Sequence, residues 1–169
     1  MSEKIKAVFF DRDGTLNVDR DYLYKIEDLR WTPYSREALA YLAQRGYKIF
    51  VITNQSGIAR GYFKLEDVLA LHARMSSDAL AYGAKIEKFY YCPHLKDGIV
   101  KEYAIDCDCR KPKPGMLLQC FAEYDVDKEA SFLVGDGKRD VECAEAAGIR
   151  GYLYKEGSLL KLVKSIVEK

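Results

Sequence analysis

Five short apolar runs, rich in branched and aromatic side chains, alternate along the chain with longer stretches whose apolar positions recur every three or four residues. That alternation predicts an α/β fold, a parallel sheet covered by helices. The runs place strands at Lys6 to Phe10, Lys48 to Thr53, Lys85 to Tyr91, Ser131 to Val134 and Gly151 to Tyr154. A helix beginning at Ser35 puts Ala38, Leu39, Leu42 and Ala43 on one face and ends at Gly46, a residue suited to a helix stop. The second helix carries a stripe of Leu65, Val68, Leu69, His72, Met75 and Ala79. The third opens at Pro114, which fits a first turn, and is expected to bury Leu117, Leu118 and Phe121. A fourth spans Asp140 to Ala147 before Gly148, and the last presents Leu159, Leu162, Val163 and Ile166. No repeat or linker interrupts the pattern, so one domain over residues 1–169 is expected. One irregular stretch, Cys92 to Arg110, belongs to no element.

Ligands of such sheets gather outside the carboxyl ends of the strands. The residues just past each strand therefore test for a site. The first strand runs into DRDGT, with Asp11 and Asp13 one residue apart; the second into TNQSG, Thr53 to Gly57; the fourth into GDGKRD, Gly135 to Asp140. RKPKPG, Arg110 to Gly115, precedes the third helix. Two carboxylates at the end of a buried strand repel and are hard to ionise unless a cation or a proton-transfer role accompanies them. A phosphate monoester as substrate would use both. Asp11 can attack phosphorus, and Asp13, protonated at rest, can give a proton to the leaving alcohol and take one from water. Magnesium between Asp11, the Asp13 carbonyl and Asp136 would offset the charges. Thr53, the amides near Asn54 and the Lys111 ammonium are the candidates for stabilising the transferring group.

Composition adds limits. The 27 basic and 26 acidic residues leave a net charge of +1, which gives no reason to invoke nucleic acid or an anionic membrane. No run approaches the length of a membrane span, and MSEKIKAVFF lacks the features of a signal peptide. A cytoplasmic, monomeric protein with a small-molecule substrate is expected. In that reducing setting the five cysteines are free or metal-bound. Cys92, His94, Cys107 and Cys109 follow a C-x-H, C-x-C spacing and form a closed zinc set with a structural role. Zinc would fix a loop short of apolar residues and aim Arg110 and Lys111, which come directly after Cys109. Cys120 and Cys143 sit on helical faces and are assigned to the core, and His72 to packing or a hydrogen bond within its helix. Asp140 is read as a helix cap or a supporting group.

DRDGT, TNQSG, RKP and GDxxxD, in this order over nearly the whole chain, resemble the four motifs of the haloacid dehalogenase superfamily of aspartate-nucleophile phosphatases. DRDGTLNVD, TNQSGIARG, YYCPH and CDCRKPKPGM are similar to the versions in its heptose 1,7-bisphosphate 7-phosphatase family. The resemblance implies a Rossmann-like three-layer sandwich without a large cap domain and with the zinc loop at 92–109. It also implies magnesium-dependent removal of the 7-phosphate through an aspartyl-phosphate intermediate. Asp11, Asp13, Thr53 and Lys111 would be catalytic, with Asp11, Asp13 and Asp136 at magnesium. Asp19, Tyr22, Thr53, Asn54, Gln55, Ser56, Arg110 and Lys111 would fall on substrate-binding positions. The chain departs from the family in having Gly137 where a lysine is frequent, with Lys138 one position later. Histidinol-phosphate phosphatases share DRDGT and a similar zinc loop and are the enzymatic alternative; a receiver-like phosphate-sensing module is the non-catalytic one.

Overall fold

A computed structural model describes residues 3–169. Five strands, β1 (Lys6–Phe10), β2 (Tyr47–Asn54), β3 (Ile86–Cys92), β4 (Phe132–Gly135) and β5 (Arg150–Leu153), pair all-parallel in the order β3-β2-β1-β4-β5. Five helices connect and flank them: α1 (Ser35–Gln44), α2 (Leu65–Ala81), α3 (Gly115–Glu123), α4 (Lys138–Ala146) and α5 (Leu159–Val167). Every expected strand is present, with ends displaced by one residue at most. The fourth helix starts two residues before its expected position, because Gly137 rather than Asp140 precedes its first turn.

Successive residues of β1 point to opposite faces of the sheet, and both faces are buried. Val8 and Phe10 join Leu39, Leu42, Leu71, Met75, Leu159 and Val163, so α1, α2 and α5 cover one side. Ala7 and Phe9 join Met116, Leu117, Cys120, Cys143 and Ala144, so α3 and α4 cover the other. The result is a three-layer α/β sandwich. The core assignments of Cys120 and Cys143 are borne out, since both are fully buried.

Two helix faces differ from expectation. Leu69 and Leu118 are nearly half exposed, while Leu71, Met116 and Cys120 are buried in their place. In α2 the buried set is Val68, Leu71, His72, Met75 and Ala79, which keeps the i, i+3, i+4, i+7 rhythm but turns it by one position. Apolar residues adjacent in sequence leave that rotation open, and packing against the sheet decides it.

The topology also places the site. From β1 the chain builds outward through β2 to β3, then returns to the other side of β1 as β4. Phe10 therefore lies level with Val51 on one neighbour and Val134 on the other. The crevice beyond the end of β1 is the switch point at which sheets of this kind bind ligands. Among the described residues no helix is long and apolar enough to cross a membrane.

Candidate active site

Asp11 is the first residue past β1, and its amide donates to the Val134 carbonyl at 3.0 Å, continuing the strand pairing by one step. The chain then folds into a tight turn, with the Leu16 amide on the Arg12 carbonyl and the Gly14 amide on the Asn17 carbonyl. Gly14 has φ of +87°, and a Cβ there would collide with Oδ2 of Asp136. Only glycine allows both that backbone and that approach. Asp136 comes directly after β4, so the two central strands deliver their carboxylates side by side. Ligand oxygens of Asp11, Asp136 and Asp140 lie within 4.8 Å of one another.

Lys111 is the internal cation. Its Nζ donates to Asp11 Oδ1 and Asp140 Oδ1, each at 2.7 Å, and to the Ile52 carbonyl at 3.0 Å. The side chain is 1% exposed. Burial disfavours its charge, but the two carboxylates outweigh that and hold its pKa above the ordinary value. Burial pushes Asp11 the other way, up to about 8, because one lysine shared with Asp140 does not offset desolvation and the neighbouring charge. Asp11 therefore sits in a place that calls for a further cation. Asn54 fixes the backbone of Lys111, accepting from its amide at 3.0 Å and donating to its carbonyl at 3.2 Å.

The second carboxylate is held differently. Asp13 Oδ1 accepts from Arg12 Nε at 3.1 Å and Asn17 Nδ2 at 3.0 Å. Its Oδ2 accepts from Arg12 Nη2 at 3.0 Å and Gln55 Nε2 at 3.1 Å. Gln55 also donates to Thr53 Oγ1 at 2.8 Å, which joins the end of β2 to the end of β1. Arg12 is wholly buried, the largest side chain of the described residues to be so.

Asp11, Asp13, Thr53, Lys111 and Asp136 line one cleft of about 330 Å³, together with Asp19, Tyr22, Asn54, Gln55, Ser56 and Arg110. Every residue expected at the catalytic or sugar-binding positions thus faces the same space. Arg110 has a buried Nη1 without a hydrogen-bond partner. Burial, and after it the charge of Asp13, raises the pKa of Asp19. Lys138 points to solvent and pairs with Glu142 at 3.6 Å, so it takes no part. Arg139, Arg60 and Asp21 line the cleft instead.

Comparison with known proteins agrees with this geometry. A HAD-hydrolase-like family model matches residues 108–162. The chain is 44% identical to a D-glycero-beta-D-manno-heptose-1,7-bisphosphate 7-phosphatase of Pasteurella multocida, over 96% of this chain and 85% of that protein. A Campylobacter jejuni relative carrying the alpha-anomer version of that name is 39% identical over 98% of this chain and 94% of its own length. The chain belongs to the haloacid dehalogenase-like phosphatases, within the heptose bisphosphate 7-phosphatase family. Among solved structures, the D,D-heptose 1,7-bisphosphate phosphatase of B. bronchiseptica, complexed with magnesium and phosphate, superposes with a TM-score of 0.85 at 29% identity, covering 97% of this chain and 99% of that one.

The phosphatase carries its second cluster beyond β3. Cys92 Sγ lies 3.4 Å from Cys107 Sγ, 2.8 Å from Cys109 Sγ and 3.7 Å from His94 Nδ1; His94 Nδ1 is 3.3 Å from Cys109 Sγ. Zinc–sulfur bonds of about 2.3 Å in a tetrahedron set sulfurs about 3.8 Å apart, so the four donors would open by up to about 1 Å to take that ion. The thiol of Cys109 hydrogen-bonds to Cys92 and pulls its pKa down to about 5, toward the thiolate a metal requires. Lys113 Nζ bonds the Cys107 carbonyl at 2.9 Å, and the Gly115 amide bonds the Asp108 carbonyl at 3.0 Å. These contacts anchor the loop to the start of α3, beside Arg110 and Lys111.

The sequence did not single out Arg12, Asn17, Arg60 or Arg139 as site residues. Arg12 stands inside DRDGT as one more charge next to a strand, and only the structure shows that it is wholly buried.

Proposed function

We propose that this phosphatase removes the 7-phosphate of D-glycero-D-manno-heptose 1,7-bisphosphate and leaves the 1-phosphate in place. The observation that carries this reading is the count of cations facing the cleft. Lys111 at its inner end suits the reacting phosphoryl group, while Arg60, Arg110 and Arg139 remain for a second anion. A monophosphate such as histidinol phosphate has no use for the second set. The names of the relatives support the same substrate.

Asp11 is the nucleophile of this reading. It attacks phosphorus in line and becomes an aspartyl phosphate, while Asp13 gives its proton to the departing C7 oxygen. Water then attacks the acyl phosphate, Asp13 takes the water proton, and inorganic phosphate leaves with Asp11 restored. Thr53 and Lys111 donate to the equatorial oxygens. The carboxylate oxygens of Asp11 and Asp136 fit magnesium, as does the raised pKa of Asp11, and the Asp13 backbone carbonyl would be a further ligand. When bound, that ion neutralises carboxylate and phosphate charge and so permits their approach. Cys92, His94, Cys107 and Cys109 fit structural zinc, which would hold the 92–109 loop and orient Arg110 and Lys111. The protein is read as a cytoplasmic monomer.

The test is phosphate release from heptose 1,7-bisphosphate and from histidinol phosphate, side by side, with magnesium present. Faster turnover of the bisphosphate, stopping after one phosphate, is expected. A preference for histidinol phosphate would overturn the assignment. Unchanged phosphate release by Asp13→Asn would overturn the acid/base role.

A further inference from the structure

Arg12 has no role in the reaction as written, yet it is wholly buried beside it. Its guanidinium donates Nε and Nη2 to the two oxygens of Asp13, at 3.1 and 3.0 Å, and Nη2 also to the Leu23 carbonyl at 3.1 Å. Nη1 lies 3.2 Å from His72 Nε2. The His72 ring is stacked on Phe89, with centroids 4.2 Å apart. Burial and the Arg12 charge both hold its pKa well below the usual 6.5, so the ring is neutral and Nε2 accepts from Arg12. His72 of α2, backed by Phe89 of β3, thus grips the far side of a guanidinium whose near side grips Asp13. Such a fork fixes the plane of a carboxylate, whereas a single ammonium fixes only a distance.

The four donors on Asp13 fill the lone-pair directions of its carboxylate. A proton on Asp13 therefore has to displace one of them. Of the four, only Gln55 lines the cleft; Arg12 and Asn17 lie behind the carboxylate. Gln55 has Thr53 Oγ1 as an alternative partner at 2.8 Å.

We propose that Arg12, braced by His72, is a positioning residue that holds Asp13 with Oδ2 toward the cleft, so that the proton exchanged with the substrate is carried on Oδ2 at the place Gln55 occupies at rest. The inference rests on the acid/base reading of Asp13. In the first step the Oδ2–H bond breaks and its proton passes to the leaving C7 oxygen. In the second step the proton of the attacking water returns to Oδ2. Arg12 remains bonded to both oxygens throughout.

The experiment uses the full chain with magnesium and zinc and compares two substrates that differ in their need for an acid. The sugar phosphate leaves as a poor alkoxide; p-nitrophenyl phosphate leaves as a phenolate stable without a proton. Single-turnover release of each leaving group is measured for wild type, Asp13→Asn, Arg12→Lys, His72→Leu and His72→Gln. General acid catalysis contributes about 10²- to 10⁴-fold. Arg12→Lys keeps the charge but not the fork, so its loss on the sugar phosphate is expected to exceed its loss on the aryl phosphate by at least about tenfold, in the same sense as Asp13→Asn, with KM changed by less than about threefold. His72→Leu, which removes the acceptor, is expected to show a smaller bias of the same sense. His72→Gln, which supplies an acceptor oxygen, is expected to recover part of it. Equal losses on both substrates for the Arg12 and His72 variants would reduce Arg12 to a structural role and overturn the inference, even with the Asp13→Asn bias intact. Absence of the bias in Asp13→Asn itself overturns the acid/base reading and, with it, the inference. If Arg12→Lys does not fold, the two His72 variants decide by the same criterion.

Discussion

Replacing Lys111 by methionine removes one positive charge from between two buried carboxylates and keeps most of the side-chain volume. An exposed ion pair is worth about 0 to 1 kcal/mol, whereas breaking a buried one costs about 3–5 kcal/mol because the partner is left without compensation. Burial decides which figure applies: the side chains are 1% exposed for Lys111, 9% for Asp11 and 0% for Asp140. The larger range holds. With an unfolding entropy of about 2.1 cal/mol/K per residue, a chain of this length loses about 8–14 °C of Tm. The loss also carries a pH signature. Lys111 is the group that holds the Asp11 pKa down against burial, so the variant lets it rise further above its value in the unfolded chain. A carboxyl with a raised folded pKa contributes stability that is lost as pH rises through that value. The deficit of Lys111→Met is therefore expected to be larger at pH 8.5 than at pH 6. Added magnesium should reduce it at the higher pH, by supplying charge to Asp11 and Asp136. Urea unfolding at fixed zinc, at two pH values, with and without magnesium, measures all three effects. A deficit below about 1 kcal/mol that is flat in pH would refute the reasoning, because it would mean that water reaches the pair.

Gly14→Ala forces a residue with a side chain to a φ of +87° and drives its Cβ into Asp136; about 1–2 kcal/mol of stability is expected to go. The magnesium concentration for half-maximal activity should rise at least about tenfold as Asp136 is displaced; unchanged magnesium dependence would place that carboxylate outside the metal site. His72 has a depressed folded pKa, so its contribution to stability is fully present above the unfolded value of 6.5 and is lost as pH falls below it toward the folded pKa. Denaturation curves from pH 7.5 down to 5 should accordingly show a shallower acid decline for His72→Gln than for wild type, and parallel curves would count against a buried neutral ring. Metal analysis should find one zinc per chain, lost in Cys107→Ser together with at least about tenfold of kcat, since the loop that carries Arg110 and Lys111 would no longer be fixed. Full activity in a zinc-free preparation would separate the loop from the site.

Strand positions were legible because each strand is a short apolar run bounded by a change of pattern, and the shared rim because motifs follow the strand ends; the order of the strands in the sheet was not read from the sequence. Helix rotation was not. In α2, Val68 and Leu69 are equally apolar, and only the sheet surface selects Val68 and Leu71 for the interior. The carboxylates, the threonine and the lysine of the cleft could be named from their motifs, since each projects from the first positions beyond a strand or before a helix. Lys138 shows the limit of that rule: one inserted-looking glycine turns it to solvent, while Arg139, one residue further along α4, lines the cleft.

Arg12 was illegible for a different reason. In sequence it sits between Asp11 and Asp13, with nothing to mark which of them it serves. In space the three diverge. Asp11 pairs with Lys111, which it shares with Asp140, and Asp13 pairs with Arg12 from behind, so the two acids answer to different cations. Lysine on Asp11 leaves a single point charge that, on the proposed mechanism, can shift toward phosphate as Asp11 becomes phosphorylated. A fork on Asp13, backed by His72 and the Leu23 carbonyl, leaves no such freedom. On the proposed mechanism, the choice of lysine for one carboxylate and arginine for the other matches what each would have to do: the nucleophile would lose its charge in the first step and release its partner, while the acid/base group would return to the same position twice in each cycle.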